Sequence, residues 1–186
     1  MPEAFFGDCL TYEEALPVMW TAGPMAEGLV LARLNTDNHQ LLGAEASLDE
    51  VRVQDALKDE SPALVHELQR LEYKVNILLR LTAEFVLRNS ALPPAQRIKL
   101  SSWALEWFGE QTAAVGSTGL LTLYITSALP QPLKIPCVVC GERLADGVRA
   151  AQLRFNGLSD AVVGQLEKLI FRHHRRLVAG SKLAAH

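Results

Sequence analysis

Four groups of side chains in this sequence have the types and spacing to do chemistry: Cys137 with Cys140, the run Arg172-His-His-Arg-Arg176, Trp103 with Trp107, and Glu106 with Glu110. A redox CxxC pair needs its first thiol at a helix N-terminus, where the local dipole stabilises the thiolate. Here both thiols fall in "IPCVVC", which reads as a strand, and their spacing points them to opposite faces. A zinc site would need two further ligands, and Cys9 is remote in sequence. Buried structural cysteines are the favoured reading; a functional thiol or metal site is the alternative.

The basic run has two readings. Cations at a helix C-terminus complement the macrodipole and the last carbonyls. Alternatively Arg172, His173, Arg175 and Arg176 form an anion or partner contact, which an oligomer would repeat. Trp103 and Trp107 suit core or barrel-rim packing, or, if exposed, a protein-binding hot spot. Glu106 and Glu110 have no obvious base or nucleophile beside them. No catalytic triad, phosphate loop or metal cluster is legible, so no enzyme, cofactor or metal is expected.

These groups must be positioned by a soluble fold. The chain has 186 residues, 49% hydrophobic and 21% charged, a composition ordinary for a globular protein. A formal net charge of -3 leaves no nucleic-acid footprint, and no nucleic-acid partner is expected. No apolar run is long enough to span a bilayer, and "MPEAFFGDCLTYEE" lacks the pattern of a secretory signal. Three cysteines do not make a disulfide framework. The expectation is a reduced, cytoplasmic protein.

The strongest pattern is helical. Leu64, Leu71, Leu78, Phe85 and Leu92 recur every seven residues, and Leu68, Val75, Thr82 and Asn89 fall three residues before the later members. Sustained alternation of three and four predicts a coiled-coil seam. Leu64 to Leu92 would extend about 43 Å at 1.5 Å per residue. Val65, Leu79, Leu81 and Val86 widen the apolar stripe, which suits three or four helices better than two. Packing on its own domain is the alternative. A parallel homotetramer is the expectation, with trimer and dimer open. Leu64, Leu68, Leu71, Val75, Leu78, Thr82, Phe85 and Asn89 are the oligomerisation residues.

Before that helix, Leu16 to Trp20 reads as a short extended segment, and residues 25–50 as a helix with Leu29, Val30, Leu34, Leu41 and Leu42 near one face. Gly28 and the Asn35–Asn38 cluster weaken that helix. After Pro93-Pro94 the period becomes two. Leu121, Leu123 and Ile125 alternate with Thr122 and Tyr124; "LPQPL" is a turn, "IPCVVC" a strand, and "VRAAQLRF" a strand. Short strands with Gly and Pro turns predict a small antiparallel barrel. A final helix starts at an N-cap Ser159 and stops at Gly180, burying Val162, Val163, Leu166, Leu169, Ile170 and Leu177.

"LQRLEYKVNILLRL" (Leu68 to Leu81), "LSSWALEW" (Leu100 to Trp107) and "FRHHRR" (Phe171 to Arg176), on a barrel closed by a helix, resemble the atypical, tetramer-forming PilZ family related to cyclic di-GMP receptors. The resemblance implies an α+β fold: a PilZ-like antiparallel β-barrel with a C-terminal helix, a helical N-terminal region and a long coiled-coil helix. The expected divisions are an extension at 1–56, an oligomerisation helix at 57–92, the barrel and closing helix at 95–180, and a tail at 181–186.

Typical PilZ domains bind cyclic di-GMP with an RxxxR pair on the segment before the barrel and a [D/N]xSxxG turn. Forked guanidinium groups hold phosphates and stack on guanine. In this sequence "NSALPPAQRIKL" offers only Arg97, and the turn aligns with Lys99 to Ala104, keeping Ser101 alone. Lys99 replaces the acidic or amide residue and Ala104 the glycine. The resemblance and its departures together imply a non-enzymatic oligomeric regulator or adaptor in bacterial cyclic di-GMP signalling. Motility, pili or virulence would be controlled through an unidentified protein partner, with the usual nucleotide site absent. A receptor using a non-standard site is the alternative.

Overall fold

Strands alternate what they bury, and six such strands here close on themselves. The computed structural model describes residues 5–49, 62–89, 92–109, 114–125, 131–145 and 147–183. The elements run β1 (Tyr12–Ala22), α1 (Gly28–Asp49), α2 (Pro62–Asn89), β2 (Ala95–Leu100), β3 (Ala104–Phe108), β4 (Thr118–Leu123), β5 (Leu133–Ala145), β6 (Val148–Phe155) and α3 (Asp160–Leu183). The strands form a closed antiparallel barrel in the order β1-β2-β3-β6-β5-β4. Closure removes the long free edges an open sheet would expose.

Register sorts each strand into an inner and an outer row. Ile98 pairs with Trp107 and Leu100 with Leu105, and all four point into the core with Leu121, Leu123, Ile135, Val139 and Leu153. Lys99 pairs with Glu106, and Glu106 with Gln152, on the outer row.

The barrel is larger than residues 95–180, and this corrects the expected division. β1 comes from the supposed N-terminal extension and bridges β2 and β4. Its alternation is broken because the strand changes partner at its middle. Tyr12 to Pro17 pair with β2, and Val18 to Ala22 pair with β4. Pro17 stands at the changeover, where its missing N–H interrupts the ladder least, and its carbonyl accepts from Tyr124 N–H at 3.1 Å.

α1 lies against α3 and β5, and it buries only part of the apolar face expected. Leu41 and Leu42 are buried as expected, with Asn38 and Glu45 beside them, whereas Leu29 is 90% exposed and Val30 62%. The asparagines that weaken the helix by propensity are what dock it. Asn38 Nδ2–H donates to Lys134 O at 2.9 Å, and Lys134 N–H donates to Asn38 Oδ1 at 3.0 Å. At Lys134, β5 pairs with β4 on one side only, so one amide side chain replaces a missing neighbour strand. Asn35 does the same one turn earlier, donating to Gly157 O and accepting from Ser159 N–H at 2.8 and 2.9 Å. Gly157 has φ +72°, and a Cβ there would come within 2.7 Å of Leu31, so glycine permits this close approach.

α3 begins as expected. Ser159 Oγ accepts from Val162 N–H at 3.4 Å, and Val162, Leu166, Leu169 and Ile170 are buried. The helix runs past Gly180 to Leu183, so that glycine is not its stop. α2 is one unbroken helix of 28 residues, and among the described residues it takes part in none of the main contacts between elements. The expected start at Leu57 lies outside the described residues, as do Leu129 and Pro130 of the "LPQPL" turn.

Candidate functional site

The outer row of β2, β3, β5 and β6 carries the densest polar chemistry of the barrel. Glu106, in the middle of β3, has a side chain only 2% exposed. Arg143 grips it with both prongs, Nε–H to Oε1 at 2.5 Å and Nη2–H to Oε2 at 2.7 Å, and Gln152 Nε2–H donates to Oε1 at 3.0 Å. Burial alone would raise its pKa. The bonds from Arg143 and Gln152, with the charges of Arg143 and Lys99, outweigh it and hold the carboxyl below its ordinary value. Glu106 is therefore held as a structural anion; Glu110 lies outside the described residues. Beside it the Arg97 and Arg143 guanidiniums lie 4.5 and 5.8 Å from the Phe108 ring centre, and Arg97 also pairs with Glu13.

The turn from β2 to β3 sits at one end of this face. Ser101 is buried and organises it: its Oγ accepts from Ala104 N–H at 3.0 Å, while Ser101 N–H donates to Ala104 O at 2.9 Å. That local role suffices to explain why serine stands there. Ala104 itself is completely buried as the first residue of β3. Lys99 precedes the turn on the outer row.

Residues 5–11 cross this turn as a strap leading into β1. Phe6 is 6% exposed. The Phe5 and Phe6 rings lie 5.6 and 6.2 Å from Trp103, Lys99 Nζ lies 5.4 Å from the Phe6 ring, and Trp103 Nε1–H points at Cys9 Sγ at 3.2 Å. Arg154 lies 5.5 Å from the Trp103 ring. A cleft of about 620 Å³ is lined by Phe5, Phe6, Cys9 and Thr11 of the strap and by Lys99, Glu106, Arg143 and Gln152 of the outer face.

The topology moves one expectation. The segment that precedes the first barrel strand is residues 5–11, not "NSALPPAQRIKL", which leads into β2. The strap contains no arginine or lysine, and it is the strap that lies beside the Lys99–Ala104 turn. The two tryptophans part company as well. Trp107 is core and donates to Gln96; Trp103 lies half-buried under the strap.

The basic run of α3 is divided by the helix. Arg172 pairs with Glu45 of α1. His173 stacks on Tyr12 with ring centres 4.4 Å apart, and its Nδ1 is 3.9 Å from Glu14. These two tie α3 to α1 and β1, so they are not an open anion patch. Tyr12 is buried, and burial, then Glu14 and Glu45, push its hydroxyl pKa up. Arg175 and Arg176 remain exposed. Of the cysteines, Cys137 is buried, with its thiol pushed up by burial. Cys140 is exposed and not structural core; it falls at the β-bulge between Val139 and Gly141.

The heptad residues lie along α2 with their side chains open to solvent: Leu64 46%, Leu68 37%, Leu71 54%, Val75 52%, Leu78 63% and Phe85 70% exposed. Thr82 Oγ1 donates back to Leu78 O at 2.8 Å, and Asn89 ends the helix. Sequence reasoning missed Phe5, Phe6 and Arg143, because two aromatics in an aperiodic segment and a lone arginine carry no spacing signal.

The family model described as atypical PilZ domain, cyclic di-GMP receptor, matches residues 42–183. No curated protein matches the chain. A solved structure is similar over 94% of this chain and 93% of its own, with 23% identity and a TM-score of 0.74. It is described as the crystal structure of a pathogenic protein from Xanthomonas campestris, a new tetrameric PilZ domain self-assembled via an unusual helical bundle.

Proposed function

The chain belongs to the atypical PilZ domain family, and from that premise we propose that it is a non-enzymatic regulatory adaptor. It assembles through α2 and acts by protein contacts, and it has lost the usual way of binding cyclic di-GMP. The strap carries this reading. On the segment before the first strand, where typical PilZ domains carry two arginines, residues 5–11 of this chain contain none and present Phe5 and Phe6. Phenyl rings supply no donors for phosphates. At the turn, Lys99 stands where a guanine-reading carboxylate or amide is needed, and Ala104 where glycine would let the backbone approach.

Self-association as a parallel homotetramer is the second part. Its support is the exposed heptad stripe of α2 and the fold shared with a structure described as tetrameric. Barrels hung on a common bundle would display several copies of one surface, so weak contacts would add up through avidity. No helix among the described residues is long and apolar enough to cross a membrane; a cytoplasmic role in bacterial motility, pilus or virulence control fits the family.

Calorimetric titration with cyclic di-GMP is the test. The expected result is no saturable heat. Stoichiometric binding at micromolar or tighter affinity would overturn the reading in favour of a receptor with a displaced site. That second reading is favoured by the family's description and by Lys99, Arg143 and Arg154 on the outer face.

A further inference from the structure

The strap fills a socket whose chemistry does not depend on the strap. Trp103 offers a ring on the barrel surface with the Arg154 guanidinium 5.5 Å from it, and Lys99 lies 5.4 Å from the Phe6 ring that packs there. Two neighbouring phenyl rings from a turn at residues 5–8 are seated against it. The strap holds itself there by side chains. Among the described residues its own backbone bond is internal, Cys9 N–H to Phe6 O at 3.2 Å. Gly7 adopts φ +55° with no heavy atom within 4 Å of where a Cβ would stand, so the pivot next to the rings is unobstructed. Residues 7–10 are exposed, and a cleft lined by both the strap and the outer face of the sheet opens beside it.

We propose that the Trp103 face is a protein-docking socket and that the Phe5–Phe6 strap is its occupant in cis. The partner is a protein segment that presents two adjacent aromatic side chains beside an acidic residue. The strap itself supplies this pattern: Asp8 follows the two rings, and the cations Lys99 and Arg154 flank the place where they sit. Trp103 is an aromatic anchor of the kind that dominates interface energetics. Binding in trans requires the strap to leave, so the strap sets the threshold for docking. The inference rests on the reading of the protein as an adaptor.

The probe is a fluorescent peptide of the chain's own first eight residues, MPEAFFGD, followed by anisotropy. It is titrated into wild type, into the Phe5→Ala/Phe6→Ala variant, and into that variant with Trp103→Ala added. A tethered strap competes at an effective concentration of about 1 mM, so a peptide binding at about 100 μM should bind wild type roughly tenfold more weakly than the strap variant. Adding Trp103→Ala should abolish binding. Where Trp103→Ala lowers the melting temperature enough to unfold the barrel, Lys99→Glu/Arg154→Glu in the strap variant replaces it and should weaken the peptide at least about fivefold. Equal binding to wild type and strap variant, no binding to the strap variant, or binding indifferent to both socket changes would each overturn the proposal. Cyclic di-GMP titrated into the same preparations reads the adaptor assignment separately, so either can fail alone.

Discussion

Replacing Leu78 by aspartate should dissolve the proposed tetramer, and the exposure of the α2 seam sets the scale. Leu78 is 63% exposed in the single chain, next to Leu71 at 54% and Val75 at 52%. Fully burying a leucine side chain is worth ~1.5–3 kcal/mol, so the part still open contributes about 1–2 kcal/mol per chain. Four copies sum to roughly 4–8 kcal/mol per tetramer, or about three to six decades in the association constant. The aspartates add the cost of drying four like charges in one layer. Light scattering should therefore move from about four times the 20.4 kDa chain mass to the chain mass at micromolar concentration. Tyr73 provides the control. It is as exposed as Leu78, at 67%, but lies on the opposite side of the heptad. Tyr73→Asp should leave the mass unchanged. A fully tetrameric Leu78→Asp, or a Tyr73→Asp that dissociates, would refute the seam.

Three further outcomes follow from the barrel. Asn38→Ala removes both bonds to the Lys134 backbone and should cost about 1–3 kcal/mol in urea denaturation, because a part-buried donor and acceptor are left unmet; a cost within error would mean that α1 is not held there. Glu106→Gln should cost about 1–3 kcal/mol at neutral pH, the half-exposed Arg143 keeping the loss below that of a fully buried pair. Since the folded state lowers the Glu106 pKa, its contribution is complete above the ordinary value of ~4.3 and is lost as the pH falls through the lower folded value. The gap between wild type and Glu106→Gln should thus narrow from about pH 5 toward pH 2, and a constant gap would assign the cost to packing. Rebuilding the turn with Lys99→Asp and Ala104→Gly should give no cyclic di-GMP binding by calorimetry, since phosphate donors are still missing. An arginine pair added within residues 5–11 should at best give weak binding, and tight binding by the turn variant alone would point to donors elsewhere on the outer face.

By itself the sequence determined whatever rests on local period and local chemistry. The helix of α2, the alternation of β6, the Ser159 cap and the opposite facing of Cys137 and Cys140 are all consequences of neighbours a few residues apart, and each appears in the structure. The alignment of Lys99, Ser101 and Ala104 with a nucleotide-binding turn came from a resemblance, and the structure sets these residues around the turn from β2 to β3. Tertiary structure alone decided what depends on distant partners. β1 is a strand because β2 and β4, more than seventy residues on, receive it on either side of Pro17; no local pattern encodes a change of partner. α1 docks through Asn35 and Asn38 and exposes Leu29 because the groups it must satisfy are the unpaired backbone of β5 and the β6–α3 connection, and propensity counts an asparagine only as a poor helix former. The basic run of α3 became two internal ties and an exposed pair once Glu45, Glu14 and Tyr12 were brought to it. The strap became a site because barrel closure carries residues 5–11 over a turn some ninety-five residues away, where Trp103 waits with a ring and its neighbours with charge.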